Sequence, residues 1–80
     1  MAVLRMFASA REAAGTGADH VDGATVGEVL DLAVARYGDA FAAVLGTCRV
    51  WVNGDSADRS VAVAASDEVA VLPPVSGGCQ

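Results

Sequence analysis

The spacing of apolar residues between positions 26 and 37 predicts one amphipathic helix. Apolar side chains recur there at every third or fourth position and form one continuous stripe: Val26, Val29, Leu30, Ala33 and Tyr37. This period is typical of an α-helix with one buried face. Thr25 is the predicted N-cap, Glu28 its capping-box partner and Gly38 the left-handed residue that ends the helix. The pattern therefore predicts a core helix that packs one face against a sheet.

Short apolar runs outside this helix predict β-strands. They are bounded by Gly, Pro, Asn, Asp or Ser, and they lie at 2–7, 18–21, 49–52, 61–63 and 68–72. Asn53-Gly54, which follows the third run, is a strong signal for a β-hairpin. The polar return from Asp55 to Ser60 is expected to be irregular.

Two shorter helical segments complete the predicted order. Ser9 and Glu12 predict a capping box for a turn that ends at Gly15. Residues 39–45 predict a further short helix with three inward side chains, Phe41, Val44 and Leu45. One main helix packed on one face of a mixed sheet of four to five strands is an α+β arrangement. The first and last strands are both apolar, and we expect them to pair at the centre of the sheet.

The composition favours a single acidic domain. The chain has 80 residues, 54% of them hydrophobic, which is enough for one modest core. Ten acidic residues face five arginines, no lysine occurs, and the net charge is −5. Nucleic acids and anionic membranes attract clustered positive charge, so neither is an expected partner, whereas a partner with a basic docking surface is compatible. Neither a membrane-spanning run nor a secretory leader is predicted, so a cytoplasmic location is expected.

Few side chains are available for catalysis. His20 is the single histidine, and Cys48 and Cys79 are too few for a disulfide scaffold. The sequence holds no cluster with metal-ligand spacing, no nucleophile with a paired base and no glycine-rich phosphate loop. Cys48 is predicted to pack as a small hydrophobe. We therefore expect no metal site and no enzyme active site of the chain's own.

The last nine residues, from Leu72 to Gln80, read Leu-Pro-Pro-Val-Ser-Gly-Gly-Cys-Gln. Two prolines end the preceding strand, because proline lacks the amide donor of a ladder hydrogen bond. From Pro73 to Gly78 the extended chain spans roughly 20 Å, without a bulky or charged side chain. Such a narrow strip can enter a channel in another protein. The alternative is an ordinary frayed terminus.

Three segments together resemble a known family. They are Phe-Ala-Ser-Ala-Arg-Glu at 7–12, Val52-Asn53, and Asp-Glu-Val-Ala-Val-Leu-Pro-Pro-Val-Ser-Gly-Gly at 67–78. On these residues the chain resembles the ubiquitin-like sulfur carriers of the MoaD/ThiS family, and it is more similar to the MoaD branch. The resemblance covers nearly the whole chain. It implies a β-grasp domain over 1–72 and a C-terminal tail over 73–80.

The resemblance also implies a chemistry. In such carriers a ubiquitin-activating-like adenylyltransferase uses ATP, bound in trans, to adenylate the terminal glycine carboxylate, here that of Gly78. A sulfur donor then forms a thiocarboxylate, whose sulfur passes to a synthase. That acceptor is the large subunit of molybdopterin synthase, or a cysteine or thio-metabolite synthase. The resemblance implies no stably bound cofactor and no catalysis by the carrier, except as the small subunit of such a synthase.

Site residues follow from the same resemblance. Phe7 and Leu72 match an apolar docking patch beside the tail, and Arg11 matches a charged residue near it; core packing is the alternative for both apolar residues. Tail residues that would enter the partner are Pro73, Pro74, Val75, Ser76 and Gly77. Leu72 replaces an aromatic residue that often precedes the two prolines, and Ser56 is polar where apolar residues also occur. Both departures would shrink the patch.

Cys79 and Gln80 follow the diglycine, so an amide bond stands where a free carboxylate is needed. Some carriers of this family are made with a short extension that a JAMM-type zinc peptidase removes, and such carriers tend to serve cysteine or thio-metabolite formation. Processing between Gly78 and Cys79 is the favoured interpretation. A functional thiol at Cys79, or a residue foreign to the natural protein, is the alternative. Two other functions also stay open: a ubiquitin-like protein modifier conjugated through Gly78, and a non-covalent binding module.

Overall fold

Within residues 2–73, which the computed structural model describes, three helices cover one face of a five-stranded mixed sheet. In chain order the elements are β1 Ala2–Met6, α1 Ala8–Ala14, β2 Ala18–Val21, α2 Val26–Tyr37, α3 Asp39–Leu45, β3 Arg49–Val52, β4 Asp55–Ser56 and β5 Glu68–Leu72. The predicted α+β arrangement is confirmed.

The sheet has the strand order β2-β1-β5-β3-β4. β1 and β5 pair in parallel at its centre, with Leu4 opposite Val69 and Met6 opposite Val71, whereas the other pairs are antiparallel. The expected central pairing of the first and last strands is therefore confirmed. As a result β5 runs between β1 and β3, and its last residue, Leu72, lies where the central strands of the sheet end.

The core lies between the sheet and the three helices. Alternate residues of β1 and β5 face it, and most of the α2 stripe meets them: Ala2, Leu4, Met6, Val69 and Val71 from the strands, and Val26, Val29, Leu30 and Ala33 from the helix. Phe41 of α3 is fully buried and packs edge-on against Tyr37, with ring centroids 5.2 Å apart. The predicted stripe is thus the buried face of α2, although Tyr37 is only half-buried.

The two ends of α2 confirm most of the predicted capping. The Thr25 hydroxyl accepts from the Glu28 amide at 3.2 Å, but the Glu28 carboxylate accepts from the Ala24 amide at 2.8 Å rather than from that of Thr25. Gly38 has the expected positive φ of 94°, yet its ψ of −168° is extended and not left-handed helical. An extended residue is needed here because α3 begins at Asp39, directly after Gly38.

Three expectations are wrong. The return after Asn53-Gly54 is not irregular throughout, because its first two residues, Asp55 and Ser56, pair with Val52 and Trp51 as strand β4. Ser9 does not cap α1, because the helix begins earlier, at Ala8, with Phe7 as an N-cap that makes no side-chain hydrogen bond. Residues 61–63 form no strand of the described sheet and leave only an isolated bridge between Thr25 and Ala62.

The start of α2 explains the missing strand. The Val26 amide donates to the Val61 carbonyl at 2.9 Å, and the Gly27 amide donates to the Arg59 carbonyl at 2.9 Å. Amides of a first helical turn have no partner within the helix. The loop before β5 therefore satisfies the helix terminus instead of extending the sheet.

Asp19 on the edge strand β2 holds the last turn of α2 against the sheet. Its carboxylate accepts hydrogen bonds from the Tyr37 hydroxyl and, at 2.6 Å, from Arg36 Nη1, which also donates to the His20 carbonyl at 3.1 Å. The bonds from Tyr37 and Arg36 lower the pKa of Asp19 to about 2. Burial and the bond to Asp19 raise the pKa of Tyr37 to about 12. The cluster is a structural contact between helix and edge strand.

Tyr37→Phe is expected to lower the free energy of unfolding by about 1 kcal/mol at pH 7, because it removes a donor from a charged, partly exposed carboxylate. A carboxyl group whose pKa is lowered by folding stabilises the folded state fully at pH values above its ordinary pKa of 3.8. This stabilisation is lost as the pH falls through the folded-state pKa of about 2. Urea unfolding at pH 7 and pH 2.5 should therefore show a smaller difference from the parent at the lower pH. Asp31→Asn, which breaks an exposed ion pair with Arg59, is the control and should change little at pH 7. A loss equal at both pH values would contradict this role for Asp19.

Candidate functional site

The side of the sheet that faces away from the helices, called here the open face, carries a band of apolar side chains. Because strand residues alternate in direction, the neighbours of the buried Leu4, Met6, Val69 and Val71 point to this side. We define the apolar band by its five members, Val3, Phe7, Trp51, Ala70 and Leu72. The strand pairing places Trp51 opposite Ala70. The band runs across β1, β5 and β3 up to the point where the chain leaves the sheet.

Phe7 and Leu72, two predicted site residues, lie side by side at that point. Phe7 continues the line of β1, and its amide donates to the Val71 carbonyl at 3.2 Å. Phe7 is 43% exposed, so core packing does not account for it. Leu72 is half-buried and ends β5, and Pro73 follows it, also half-buried. The structure thus brings the two apolar residues of the predicted patch together.

Arg11, the third predicted docking residue, lies on the exposed side of α1. Its amide donates to the Phe7 carbonyl at 3.4 Å, one helical turn back. Its side chain runs over Gly17, where an added Cβ would stand 3.3 Å from Arg11 Nε. Larger residues at position 17 would therefore displace the guanidinium. The other predicted site residues lie outside the described residues: Pro74, Val75, Ser76, Gly77, Gly78 and Cys79.

A hydrogen-bonded clamp at the start of β5 joins Val52-Asn53 to Asp67-Glu68. Both pairs belong to the segments on which the family resemblance rests. The Asn53 amide donates to the Glu68 carbonyl at 2.9 Å, and the Glu68 amide donates to Asn53 Oδ1 at 2.9 Å. Asn53 Nδ2 donates to Asp67 Oδ1 at 3.0 Å. The Ala64 amide and then Asn53 lower the pKa of Asp67. These motif residues therefore fix the register of β5 and lie at the end of the strand remote from Leu72.

The hairpin between β3 and β4 makes the clamp feasible. Asn53 and Gly54 both have positive φ, 51° and 88°, as a tight two-residue hairpin requires. The predicted hairpin is confirmed, with Val52 opposite Asp55. Asparagine tolerates this conformation better than most residues do, and its side chain stays available for β5. Sequence reasoning identified the turn but missed the second role of Asn53.

Other chemically competent groups do not gather at the open face. No cluster of three or more His, Cys, Asp or Glu side chains that could hold a metal occurs within residues 2–73. Cys48 is half-buried, its thiol donates to the Val44 carbonyl at 3.2 Å, and burial raises its pKa. A raised pKa keeps the thiol protonated and weakly nucleophilic.

Within residues 2–73, no helix is both long and apolar enough to cross a membrane.

Comparison with known proteins identifies the family. The model of the ThiS family matches residues 4–78. The chain belongs to the ThiS family. Members of this family are small ubiquitin-like sulfur carriers rather than catalytic enzymes. The match ends at Gly78, the second residue of the diglycine, and leaves Cys79 and Gln80 beyond it.

Individual relatives agree with the family match. The chain is 38% identical to Small archaeal modifier protein 1 of Haloferax volcanii, over 92% of this chain and 97% of that protein. The solution structure of the small archaeal modifier protein 1 from Methanosarcina acetivorans has a TM-score of 0.86 at 29% identity, covering 96% of this chain and 95% of its own. CysO of Mycobacterium tuberculosis has a TM-score of 0.80 at 19% identity, covering 94% and 100%, and shows the shared fold alone. The predicted β-grasp, ubiquitin-like fold is confirmed.

Proposed function

We propose that this ThiS family chain is a sulfur carrier that works through a thiocarboxylate on Gly78. The observation that carries the proposal is the placement of the diglycine: the family match ends at Gly78, and the chain leading to it departs from the central strand β5 beside the exposed Phe7. A partner that docks on the apolar band can therefore take the tail into its own active site.

The proposed chemistry needs no catalytic side chain from the carrier. The Gly78 carboxylate attacks the α-phosphorus of ATP on an adenylyltransferase, which forms an acyl-adenylate and releases pyrophosphate. Sulfide then attacks the carbonyl carbon, AMP leaves, and a thiocarboxylate remains. If the donor is a protein persulfide, the product is an acyl disulfide, and a second thiol must cleave it to release the thiocarboxylate. The absence of side chains at Gly77 and Gly78 lets the partner's backbone approach the reacting carbon closely.

Activation requires that Cys79 and Gln80 be removed first. A JAMM-type zinc peptidase would hydrolyse the amide bond between Gly78 and Cys79 and leave the free glycine carboxylate. The zinc belongs to the peptidase. Carriers with such an extension tend to serve cysteine or thio-metabolite formation. A cysteine or thio-metabolite synthase is therefore favoured over molybdopterin synthase as the sulfur acceptor. All of these steps are expected in the cytoplasm.

Docking would use the residues that surround the root of the tail. Phe7 and Leu72 supply apolar contact area, Arg11 supplies charge at its border, and Pro73 and Pro74 stiffen the exit. Val75, Ser76 and Gly77 would then line the partner's channel. Proline restricts its own φ and the conformation of the residue before it, so the two prolines would reduce the conformational entropy that this segment loses on binding.

Intact mass spectrometry after co-expression tests this function. The chain is expressed with the JAMM-type peptidase, the adenylyltransferase and the sulfur donor encoded by the same genome. The expected species lacks Cys79-Gln80 and carries sulfur in place of one carboxylate oxygen. Omission of the peptidase is the control and should leave the full-length mass. If the chain keeps its full length with each peptidase and its tail is never activated, the proposal fails.

A second function, attachment to other proteins, is favoured by the 38% identity to a protein named as a modifier. Its activated Gly78 would form an isopeptide bond with a lysine of a target. The chain itself has no lysine, so linkage of copies through their own ε-amines is excluded. High-mass adducts in cells that disappear with Gly78→Ala would support this function. Cells that form the thiocarboxylate but no adducts would rule it out.

A further inference from the structure

The five arginines of the chain differ in their partners. Arg5, Arg36 and Arg59 each form an ion pair at 2.6 Å, with Glu68, Asp19 and Asp31. The two others, Arg11 and Arg49, are exposed and pair with no carboxylate of residues 2–73. Because acidic residues outnumber arginines by ten to five, an unpaired arginine does not follow from a shortage of acids.

Arg49 lies directly beside the root of the tail. It is the first residue of β3 and stands opposite Leu72, the last residue of β5. Since opposite residues share a sheet face, the Arg49 side chain lies on the open face. Phe7, Leu72 and Arg49 thus form a row across three adjacent strands, about 10 Å long at the usual strand spacing. Trp51, two residues along β3, places the only indole of the chain on the same side.

Arg11 lies beyond the other end of this row, one turn of α1 from Phe7. Arg5 is on the open face as well, paired with Glu68. The charge of Arg5 is therefore balanced on the open face, which leaves Arg49 beside Leu72 and Arg11 one helical turn from Phe7 as the arginines without a carboxylate partner within residues 2–73, although the net charge of the chain is −5. The overall charge is compatible with a basic partner, but the face beside the tail has the opposite local character.

We propose that Arg49 is a partner-selecting residue: it binds a carboxylate on the enzyme that adenylates Gly78, at the border of the surface that accepts Phe7, Leu72 and Trp51. The adenylating enzyme is the chosen partner because sulfur transfer and protein conjugation both begin with that step, so the inference rests on the proposed function. An arginine that is covered by a docked protein loses its hydrating water molecules. This desolvation costs binding free energy unless a carboxylate of the partner takes the place of the water. Aromatic and arginine side chains are also those that dominate interface energies.

The test is ATP–pyrophosphate exchange with a chain that ends at Gly78 and the adenylating enzyme encoded by the same genome. Arg49→Gln is expected to raise the KM for the carrier about tenfold, and Arg49→Glu to raise it further, as for loss and reversal of one interfacial charge. The kcat should stay within about twofold, because Arg49 lies opposite Leu72, six residues before Gly78 in the sequence, and is assigned to docking rather than to the adenylation step. Raising the salt concentration should raise the KM of the parent chain by a larger factor than the KM of Arg49→Gln.

Arg59→Gln is the matched control, because it removes the same charge from an arginine paired with Asp31 near the start of α2. Its KM should equal that of the parent. If the parent is adenylated and both Arg49 variants keep its KM, or if Arg59→Gln raises KM equally, the role of Arg49 is overturned. If the chain ending at Gly78 supports no exchange at all, the proposed function itself fails and the inference falls with it.

Discussion

A chain that ends at Gly78 is expected to be adenylated in vitro without any peptidase, whereas the 80-residue chain is expected to give no detectable adenylate. The reason is chemical and geometric: a carboxylate oxygen can attack the α-phosphorus of ATP, whereas the oxygen of the Gly78–Cys79 amide is a far weaker nucleophile. The 80-residue chain carries its free carboxylate on Gln80, about 7 Å of extended chain beyond the position of the Gly78 carboxylate. The effect is therefore close to all-or-none. ATP–pyrophosphate exchange measures it directly, and the mass of the chain verifies its end.

A chain that ends at Val75 provides the control. It also carries a free carboxylate, but this group is three residues, or about 10 Å of extended chain, closer to the domain. It should not be activated, and its melting temperature should stay close to that of the parent. A large fall in the melting temperature would mean that the tail packs on its own domain. Equal activation of the 80-residue chain and the chain ending at Gly78 would refute the need for processing.

Leu30→Ala is expected to lower the free energy of unfolding by about 2 to 5 kcal/mol, because a fully packed leucine is replaced and a cavity is left. Leu30 is 3% exposed and contributes to the buried stripe of α2. Small domains have only about 5 to 15 kcal/mol of stability in total, so the loss is a large fraction of it. Chemical denaturation followed by circular dichroism measures the change.

Leu32→Ala is a control within the same helix. Leu32 is 44% exposed and lies on the opposite side of α2, so the same substitution there should change the free energy of unfolding by no more than about 0.5 kcal/mol. Helix propensity changes alike in both variants, and the difference between them isolates burial. Equal losses at positions 30 and 32 would mean that the packing face of α2 is wrongly assigned.

Helix α2 and the central strands are predictable because their signals are local. The stripe, the Thr25 cap and the glycine after Tyr37 lie within 14 consecutive residues, and each acts on its neighbours through side-chain spacing or capping. The patch residues Phe7 and Leu72 were reached through the resemblance. Their adjacency depends on the pairing of β1 with β5, which the apolar character of both strands predicted.

The side-chain contacts that sequence reasoning missed join residues that are far apart in the sequence. Asn53 and Asp67 are 14 residues apart, and Tyr37 and Asp19 are 18 apart. Nothing in the local pattern links them. The strand expected at 61–63 failed for the same reason, since its carbonyl at Val61 is taken by the first turn of α2. The position of Arg49 beside the end of β5 is likewise a long-range feature, since it follows from the register that places Arg49 opposite Leu72.

The parallel pairing of β1 with β5 has a consequence for the order of events during synthesis. Residues that meet across it, such as Leu4 and Val69, are 65 residues apart in the sequence, so the ribosome must synthesise β5 before this pair can close. Closing so long a loop is entropically costly and comes late in folding. Phe7 and Leu72 become neighbours only at that moment. Chains without β5 therefore lack the pair of apolar side chains to which docking is assigned in our proposal, and an activating enzyme that requires this pair would not bind them.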